Sequence, residues 1–212
     1  GLEARLFNRL DLSFEFYNRK TTDMLLAYPL PASSGFSSYY RNSGEMRNRG
    51  IEFALTGYIF DKEDLQWSVT WMGSTVNNKV LKLTDEGKDI IGGSQIIRVG
   101  ETLYSYYVAR SAGVDPMTGL KMYWAKDADG NDYITTSTSK AQDNRVIVGS
   151  RIPDLYGSLS TSFRWKNIDL AVSTNYSIGG KNYDGVYQEF MGCYYVAEAK
   201  HKDILRAWRK PG

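Results

Sequence analysis

Apolar and polar residues alternate with a period of two in several stretches of the chain. In residues 51–59, Ile51, Phe53, Leu55 and Ile59 alternate with Glu52, Ala54, Thr56 and Tyr58. In residues 6–17 the even positions are Leu6, Asn8, Leu10, Leu12, Phe14 and Phe16, while the odd positions include Arg9, Asp11 and Glu15. Because successive side chains of a strand point to opposite faces, this pattern predicts strands with one apolar and one polar face.

Short polar turns separate pairs of such stretches. The turn at residues 61–64 leads into a stretch in which Leu65, Trp67, Val69 and Trp71 alternate with Gln66, Ser68, Thr70 and Met72. Residues 166–167 likewise separate the alternating stretches 155–165 and 168–178. A tight polar turn between two alternating stretches predicts an antiparallel hairpin.

Long connections alternate with these short turns. Residues 21–48, residues 77–151 and the segment from residue 179 onward exceed the usual length of a connection in a compact domain. Soluble β-sandwiches place a turn roughly every 8–12 residues, whereas transmembrane β-barrels combine short turns at one rim with long loops at the other. The alternation favours the barrel, in which polar residues such as Asp11, Glu15, Glu52 and Arg164 line a wet lumen. The solvated face of a soluble antiparallel sheet is the alternative explanation.

The long connections contain turns and short strands of their own. Residues 115–119 (DPMTG) and 127–131 (DADGN) have the Pro, Gly and Asp-Gly placements that turns require. Asp127, Asp129 and Asp132 form a possible oxygen cluster, but glycine comes too early for an EF-hand loop and no glutamate closes it. We therefore predict no metal site. Residues 196–208 have the pattern of a short amphipathic helix.

Composition narrows the functional classes. The net charge of +2, from 26 basic and 24 acidic residues, provides no field that would recruit nucleic acid. The chain has 16 Tyr and 5 Trp, rings that suit boundaries between wet and apolar surroundings. His201 is the only histidine and Cys193 the only cysteine, so a histidine-based triad would depend on His201 alone. The sequence predicts neither an enzyme nor a cofactor, and Cys193 is interpreted as a packing residue.

A helical membrane anchor is not expected. The longest apolar runs are far shorter than the roughly 20 residues that a spanning helix needs, and the first residues lack the pattern of a signal peptide. A β-barrel needs only about 9–11 alternating residues for each crossing, so this does not argue against a membrane.

Several motifs, in their order along the chain, resemble one family. The segments NSGEMRNRGIEFAL, LQWSVTWMGSTVNNKVLKL, VGETLYSYYVARSAGVDPMTGLKMY, GSRIPDLYGSLSTSFRWKNIDLAVSTNYSIGGKNYD and ILRAWRKPG resemble the C-terminal part of the barrel in SusC/RagA-type TonB-dependent transporters. These are outer-membrane nutrient importers of Bacteroidetes. Residues 48–52 (NRGIE) are similar to a strand start of TonB-dependent receptors, and residues 113–119 (GVDPMTG) and 206–212 (RAWRKPG) resemble the SusC branch.

This resemblance implies an all-β fold, namely an antiparallel transmembrane segment of a barrel of about 22 strands with long extracellular loops. Residues 1–212 are then a fragment with about five barrel strands, or six to seven if loop strands count. The plug domain, the TonB box and the final barrel strands are expected to be absent. A set of this size cannot close a barrel, so two sheet edges are expected to be exposed.

The resemblance also implies orientation. Ile51, Phe53, Leu55 and Ile59 would face lipid, whereas Glu52, Thr56 and Tyr58 would face the lumen or the plug. The turn at residues 61–64 would be periplasmic. Because Tyr58, Trp67 and Trp165 lie near the two short turns, they are assigned to the inner aromatic girdle.

The function implied by the resemblance is TonB-driven import. The chain would supply barrel wall and extracellular loops for the uptake of glycan oligomers or peptides, with a SusD-like surface lipoprotein as partner and TonB acting through the missing N-terminal part. Loop aromatics are candidates for stacking on substrate or lid, but packing within the loops is the simpler role of each, so no substrate-binding residue is assigned; they are Tyr104, Tyr106, Tyr107, Tyr123, Trp124, Tyr194 and Tyr195.

The alternative function is a soluble or cell-surface β-rich carbohydrate-binding module. It predicts that Leu12, Phe14, Phe16, Phe53 and Val69 pack against a second protein layer.

Overall fold

Strands make up most of the structure. The computed structural model describes residues 1–83, 87–192 and 199–211. The strands are β1 Leu2–Leu6, β2 Leu10–Pro29, β3 Ser38–Lys62, β4 Leu65–Ser74, β5 Asn77–Lys82, β6 Ile90–Gly92, β7 Gln95–Ile97, β8 Ser105–Val108, β9 Ser111–Val114, β10 Lys121–Lys126, β11 Asp132–Thr135, β12 Val146–Gly149, β13 Leu155–Trp165 and β14 Ile168–Ile178. The helices are α1 Thr138–Asp143 and α2 Gly185–Met191, with 3₁₀ helices at Ala32–Ser34 and Lys202–Arg206. The predicted all-β class is confirmed.

The main sheet is antiparallel and has seven strands. Its order is β1-β2-β3-β4-β13-β14, and β5 pairs with β3 beside β4. The two predicted hairpins are confirmed, because Lys62 pairs with Leu65 across one turn and Trp165 with Ile168 across the other. The register is continuous from β4 through β13 to β14.

The prediction of one strand over residues 6–17 is wrong at its start. Residues 7–9 form a tight turn, and Leu6 pairs with Leu10 across it. Phe7 and Asn8 have φ angles of 53° and 55°, the left-handed values that two-residue hairpin turns use. Alternation failed to reveal this turn because Phe7 occupies a position that normally takes Asn or Gly.

The prediction of a long connection over residues 21–48 is also wrong. Strands β2 and β3 stay paired up to the contact between Pro29 and Ser38, with irregular register between Thr21 and Leu25. The alternation fades there because the irregular register between Thr21 and Leu25 inserts unpaired residues, which shifts the two faces along the strand.

The chain divides into two compact units. Unit 1 consists of Gly1–Ser105 and Gly149–Lys181, and it contains the main sheet and the β6-β7 hairpin. Its core is small and lies beside the end of the β2-β3 hairpin at which Pro29 pairs with Ser38, which we call the outer end. This core contains Leu26, Val80, Leu83 and Ile97, with Met24, Ile90 and Leu103 packed against it.

Unit 2 consists of Tyr106–Val148 and Asn182–Gly212. Strands β9, β10 and β11 form a three-stranded sheet, which confirms the two turns predicted between them. Helix α1 contacts β10, and the Ser137 hydroxyl caps it by accepting a hydrogen bond from the Lys140 amide. The predicted helix near the end of the chain is only the 3₁₀ helix Lys202–Arg206, and residues 196–198 of that prediction lie outside the described residues.

Candidate functional site

The main sheet has one apolar face and one polar face. Residues that pair directly across strands share a face. One row across the sheet contains Leu12, Leu55, Trp71 and Leu159, and the neighbouring row contains Asp11, Thr56, Thr70, Ser160 and Ser173. By the same register the apolar face also includes Phe14, Ile51, Phe53, Val69, Trp67, Phe163 and Leu170.

The apolar face has no second protein layer over it within the described residues. Phe16 is 62% exposed and Leu170 is 56% exposed, and none of Leu12, Phe14, Phe16, Phe53 or Val69 is among the buried side chains. A soluble module would bury this face, because large contiguous apolar patches are rare on soluble monomers. The packing that the alternative function predicts is therefore not found.

Indole groups on the apolar face bond within the sheet. Trp67 Nε1 donates to the hydroxyl of Thr161 at 2.9 Å, and Trp71 Nε1 donates to the hydroxyl of Tyr176 at 2.9 Å. The Tyr176 hydroxyl in turn donates to the carbonyl of Met72 at 2.8 Å. These polar atoms therefore have partners without water, which a surface in hydrocarbon requires.

A bulge in β3 changes the faces at one end of the sheet. The register shifts between Tyr58, which pairs with Ser68, and Phe60, which pairs with Trp67. Ile59 is the extra residue, and Phe60 lies on the apolar face with its ring centroid 6.1 Å from that of Trp67. The assignment of Tyr58 to the aromatic girdle is wrong, because its hydroxyl donates to Asp11 on the polar face at 3.1 Å.

Small hydroxyl side chains and ion pairs occupy the polar face. The hydroxyl oxygens of Thr56 and Thr70 lie 3.0 Å apart, and those of Ser160 and Ser173 lie 2.9 Å apart. Arg164 donates to Asp169 at 2.7 Å. These side chains are hydrated or paired with each other, as expected of a surface that faces water.

Two carboxylates stand directly opposite each other on the polar face. Glu15 pairs with Glu52 across β2 and β3. Together with Ser74, Tyr156 and Ser158 they line an open depression. Like charges in this position are unfavourable within a sheet, so the depression is an acidic part of the polar face.

The two rims of the main sheet differ. Short turns at residues 7–9, 63–64 and 166–167 lie at one rim, where the Lys166 amide donates to the carbonyl of Asp64 at 2.9 Å. Trp67 and Trp165 lie on the apolar face near this rim. The opposite rim carries the long connections, which supports the predicted pairing of short turns with long loops.

The connection after β5 is fixed on the sheet by a buried amide. The side chain of Asn78 donates to Asn48 Oδ1 at 2.6 Å, and its own Oδ1 accepts from the Leu103 amide at 2.8 Å. Val80 and Leu83 are fully buried beside it. This part of unit 1 is therefore a folded extension of the sheet.

The loop aromatics have different surroundings. Tyr106 is buried, and the ring of Tyr107 lies 4.8 Å from the guanidinium carbon of Arg145. The Lys121 ammonium lies 5.5 Å from the ring centroid of Tyr123. Tyr104 and Trp124 are exposed, whereas Tyr194, Tyr195 and Cys193 lie outside the described residues. The described aromatics do not form a single stacking platform.

Two motifs that the resemblance singled out meet in unit 2. Trp208 Nε1 donates to the carbonyl of Pro116 at 2.9 Å. The indole lies so close to Gly119 that a Cβ there would be 2.5 Å from a ring carbon. Sequence spacing did not reveal this contact, because the two residues are far apart in the chain.

Carboxylates organise the turns of unit 2. The Asp115 carboxylate accepts from the Thr118 hydroxyl and the Met117 amide, and these hydrogen bonds lower its pKa. A hydrogen bond from Arg110 lowers the pKa of Asp132, and hydrogen bonds led by the Asn131 amide lower that of Asp127. These carboxylates therefore serve the turns and an ion pair.

The only histidine lies beside a tyrosine and an aspartate. The ring centroid of His201 is 5.0 Å from that of Tyr187, whose hydroxyl donates to Asp203 at 3.2 Å. Burial raises the pKa of Tyr187, and the charge of Asp203 adds to the effect. Among the described residues, no group of three or more His, Cys, Asp or Glu side chains has the arrangement of a metal site.

A search of the described helices found none that is long and apolar enough to cross a membrane.

Comparisons with known proteins agree with the architecture. The family model "TonB dependent receptor-like, beta-barrel" matches residues 1–198. TonB-dependent receptor P3 of Formosa agariphila is 34% identical over 207 residues, which covers 85% of this chain and 20% of that receptor. TonB-dependent receptor P39 of the same organism is 25% identical and covers 100% of this chain and 24% of that receptor.

Solved structures show the same relationship. A RagAB peptide transporter matches with a TM-score of 0.78 and 31% identity, over 95% of this chain and 23% of that chain. A RagAB peptide importer in its open-open state matches with a TM-score of 0.68 and 27% identity, over 82% and 19% of the two chains. This chain thus spans about a fifth to a quarter of the length of these relatives. It belongs to the TonB-dependent receptor β-barrel family, which confirms the SusC/RagA-type resemblance.

Proposed function

We propose that this chain forms part of the barrel wall and the extracellular loops of an importer for large nutrients in the outer membrane. The substrate class is peptides or glycan oligomers, the partner is a SusD-like surface lipoprotein, and TonB supplies the energy through a plug domain. The plug, the TonB box and the final barrel strands belong to other parts of the same protein. No covalent chemistry is required of these residues.

The exposed apolar face of the main sheet is the main observation that supports this proposal. Its large side chains have no protein cover within the described residues, and the indoles of Trp67 and Trp71 bond inside the sheet. Lipid chains stabilise such a surface, whereas water would leave it as a patch prone to aggregation. The polar face, with Glu15 and Glu52 in an open depression, then faces the lumen and the plug.

The difference between the rims supports the orientation. Outer-membrane barrels have short turns on the periplasmic side and longer loops outside. The turns at residues 7–9, 63–64 and 166–167 are therefore assigned to the periplasm. The folded extension around Asn78 and the long connections are assigned to the outer surface, where a lid and a substrate arrive.

The peptide substrate is supported by similarity to the RagAB peptide transporter. The glycan alternative rests on the exposed loop aromatics, since Tyr and Trp rings have apolar faces that suit sugar rings. Of the loop aromatics that the sequence analysis named, Tyr104 and Trp124 are the ones exposed for either role within the described residues.

Uptake by the full-length protein tests the proposal. A strain lacking the gene should lose uptake of labelled oligopeptides or oligosaccharides, and the full-length gene should restore it only when TonB is present. A SusD-like lipoprotein should copurify in detergent. Uptake that is unchanged in the deletion strain for both substrate classes, or a full-length protein that stays monodisperse in water without detergent, would overturn the proposal.

A further inference from the structure

Two lysines mark the short-turn rim on the apolar side. Lys62 pairs with Leu65, and Leu65 pairs with Trp165, so Lys62 stands at the end of the apolar face. The Lys166 ammonium lies 5.9 Å from the ring centroid of Trp165, which is 51% exposed. We call Lys62 and Lys166 the rim lysines.

The spacing lets the rim lysines share one anion. Neighbouring strands lie about 4.8 Å apart, so the Cα atoms of Lys62 and Trp165 are roughly 10 Å apart across β4. Long lysine side chains next to an apolar surface extend their charged ends toward the polar boundary. Lys166 directly follows Trp165, so the side chains of the two rim lysines can reach into this gap from its two sides.

Both ammonium groups remain available. Neither rim lysine is in an ion pair within the described residues. The nearby pair of Arg164 and Asp169, and also Asp61, stand on the polar face by register. The sheet itself separates these charges from the rim lysines.

The backbone at Lys166 is unusual for a lysine. It is the first of two central residues in the hairpin turn between Trp165 and Ile168, and its φ is 51°. Glycine normally takes a position of this kind, because a side chain makes a left-handed φ unfavourable. The side chain at this position lies against the ring of Trp165, which keeps its ammonium on the apolar side of the turn.

Acidic residues lie just beyond the rim lysines. Glu63 and Asp64 form the tip of the turn after the last paired residues, Lys62 and Leu65. Lys166 lies beside Asp64, since its amide donates to the Asp64 carbonyl at 2.9 Å, but its ammonium reaches back toward the ring of Trp165. Moving outward from the apolar face, the ammonium groups therefore come first and the acidic turn residues follow. A headgroup with a phosphate next to its acyl chains and a primary ammonium farther out has the complementary order.

We propose that the rim lysines bind the phosphate of a phospholipid of the phosphatidylethanolamine class. The headgroup ammonium donates to the carboxylates of Glu63 and Asp64, and the acyl chains lie along the apolar face beside Trp165 and Ile168. This inference rests on the proposed function, because it requires lipid against the apolar face.

Native mass spectrometry of the full-length transporter in detergent tests the site. The delipidated protein is titrated with phosphatidylethanolamine and with phosphatidylcholine, whose headgroup has no N–H donor. We expect the unaltered protein to prefer phosphatidylethanolamine. The double variant Lys62→Ala and Lys166→Ala should weaken that binding roughly 25-fold, about fivefold for each lysine.

Two further variants serve as controls. Lys121→Ala with Lys140→Ala removes two lysines that stack on tyrosine rings in unit 2, and lipid binding should not change. Lys62→Arg with Lys166→Arg should keep most of the affinity, because guanidinium groups also bind phosphate.

The outcomes separate this inference from the function on which it rests. Equal affinity of the unaltered protein and the alanine double variant overturns the site, and equal affinity for the two lipids overturns the role of Glu63 and Asp64. If either occurs while uptake is normal, only the lipid site fails. If uptake does not depend on the gene, the proposed transport function itself is contradicted.

Discussion

The two ends of the β2-β3 hairpin bury their apolar side chains in different ways. Toward the short-turn rim, Phe14 and Phe16 are 40% and 62% exposed. Toward the other rim, Leu26 of the same strand is 6% exposed and packs with Val80 and Leu83. One continuous pair of strands therefore passes from a region without a core into a region with one.

The difference shows which solvent each region is built for. In water, apolar side chains need a protein layer to cover them, and the outer end of the hairpin has such a layer. The side-chain amide of Asn78 lies at the edge of this layer, and its polar atoms are hydrogen-bonded. In lipid, the cover is the solvent itself, so the inner end needs only bonded polar atoms and a continuous apolar face.

The largest expected effect separates two neighbouring leucines at the outer end. Leu26→Ala should destabilise the extension by about 2–5 kcal/mol, because it leaves a cavity in the small core. Leu25 is 63% exposed, so Leu25→Ala should cost no more than about 0.5 kcal/mol. Hydrogen exchange of peptides around residues 78–83 in the full-length protein measures the difference, and equal protection in the two variants contradicts the core.

Arginine substitutions in β2 test the two faces of the main sheet near the short-turn rim. Leu12→Arg places a charge on the apolar face and should cost about 2–4 kcal/mol if that face lies near the middle of a bilayer. Ser13 is on the polar face, since it pairs with Ala54, and Ser13→Arg should cost little. Urea-dependent folding of the full-length protein into vesicles gives both values, and a larger cost at Ser13 reverses the assignment of faces.

A smaller effect, the overpacking cost of about 1–3 kcal/mol that remains once the backbone cost is subtracted, tests whether a loop motif is packed as a soluble domain would be. Gly119 has φ of 74° and lies against Trp208, so Gly119→Ala should cost about 1–2 kcal/mol for the backbone and about 1–3 kcal/mol for overpacking.

Gly130 is the matched control for this contact. Its φ is 86°, and no atom lies within 4 Å of the position of a Cβ. Gly130→Ala should therefore show only the backbone cost. Hydrogen exchange at residues 115–120 and 127–132 compares the two turns, and equal losses mean that the Trp208 contact contributes nothing.

The smallest effect concerns the stability of the turn at residues 115–119 at acidic pH. The pKa of Asp115 is lowered from 3.8 chiefly by the Thr118 hydroxyl, so its carboxylate stabilises the turn above pH 3.8. That stabilisation should be lost as the pH falls through the lower pKa of the folded state. An NMR titration of Asp115 should place its pKa below 3.8, and Asp115→Asn should remove the acid dependence of the turn.

Asp129 provides the control for this titration. Its carboxylate accepts no hydrogen bond within the described residues. Asp129→Asn should leave the acid response of residues 115–119 unchanged. A pKa of Asp115 at or above 3.8 would contradict the hydrogen bonds that organise the turn.

Most of the fold could be predicted from the alternation of apolar and polar residues and from the residues that turns require. The faces of Ile51, Phe53 and Leu55, the hairpins at residues 61–64 and 166–167, and the turns at residues 115–119 and 127–131 could all be read from local patterns. These patterns work because side-chain direction in a strand and φ in a turn depend on a few neighbouring residues.

Local patterns failed where pairing overrides them. The turn at Phe7, the bulge that moves Phe60 to the apolar face, and the continuation of β2 to Pro29 depend on ladders with other strands. A bulge inserts one residue without a sequence signature, so every face assignment beyond it reverses. That is why Phe60, which continued alternation from Ile51 would place on the polar face, lies on the apolar face instead, whereas Tyr58, before the bulge, keeps the polar face that was predicted for it.

By itself the sequence determined the strand class, the two unlike faces and the family, because these depend on periodicity and on motif order. Tertiary structure alone decided which apolar residues receive a protein cover, and that Trp208 meets Gly119. Those features depend on contacts between residues far apart in the chain, and such contacts form only when the register of every intervening strand is set.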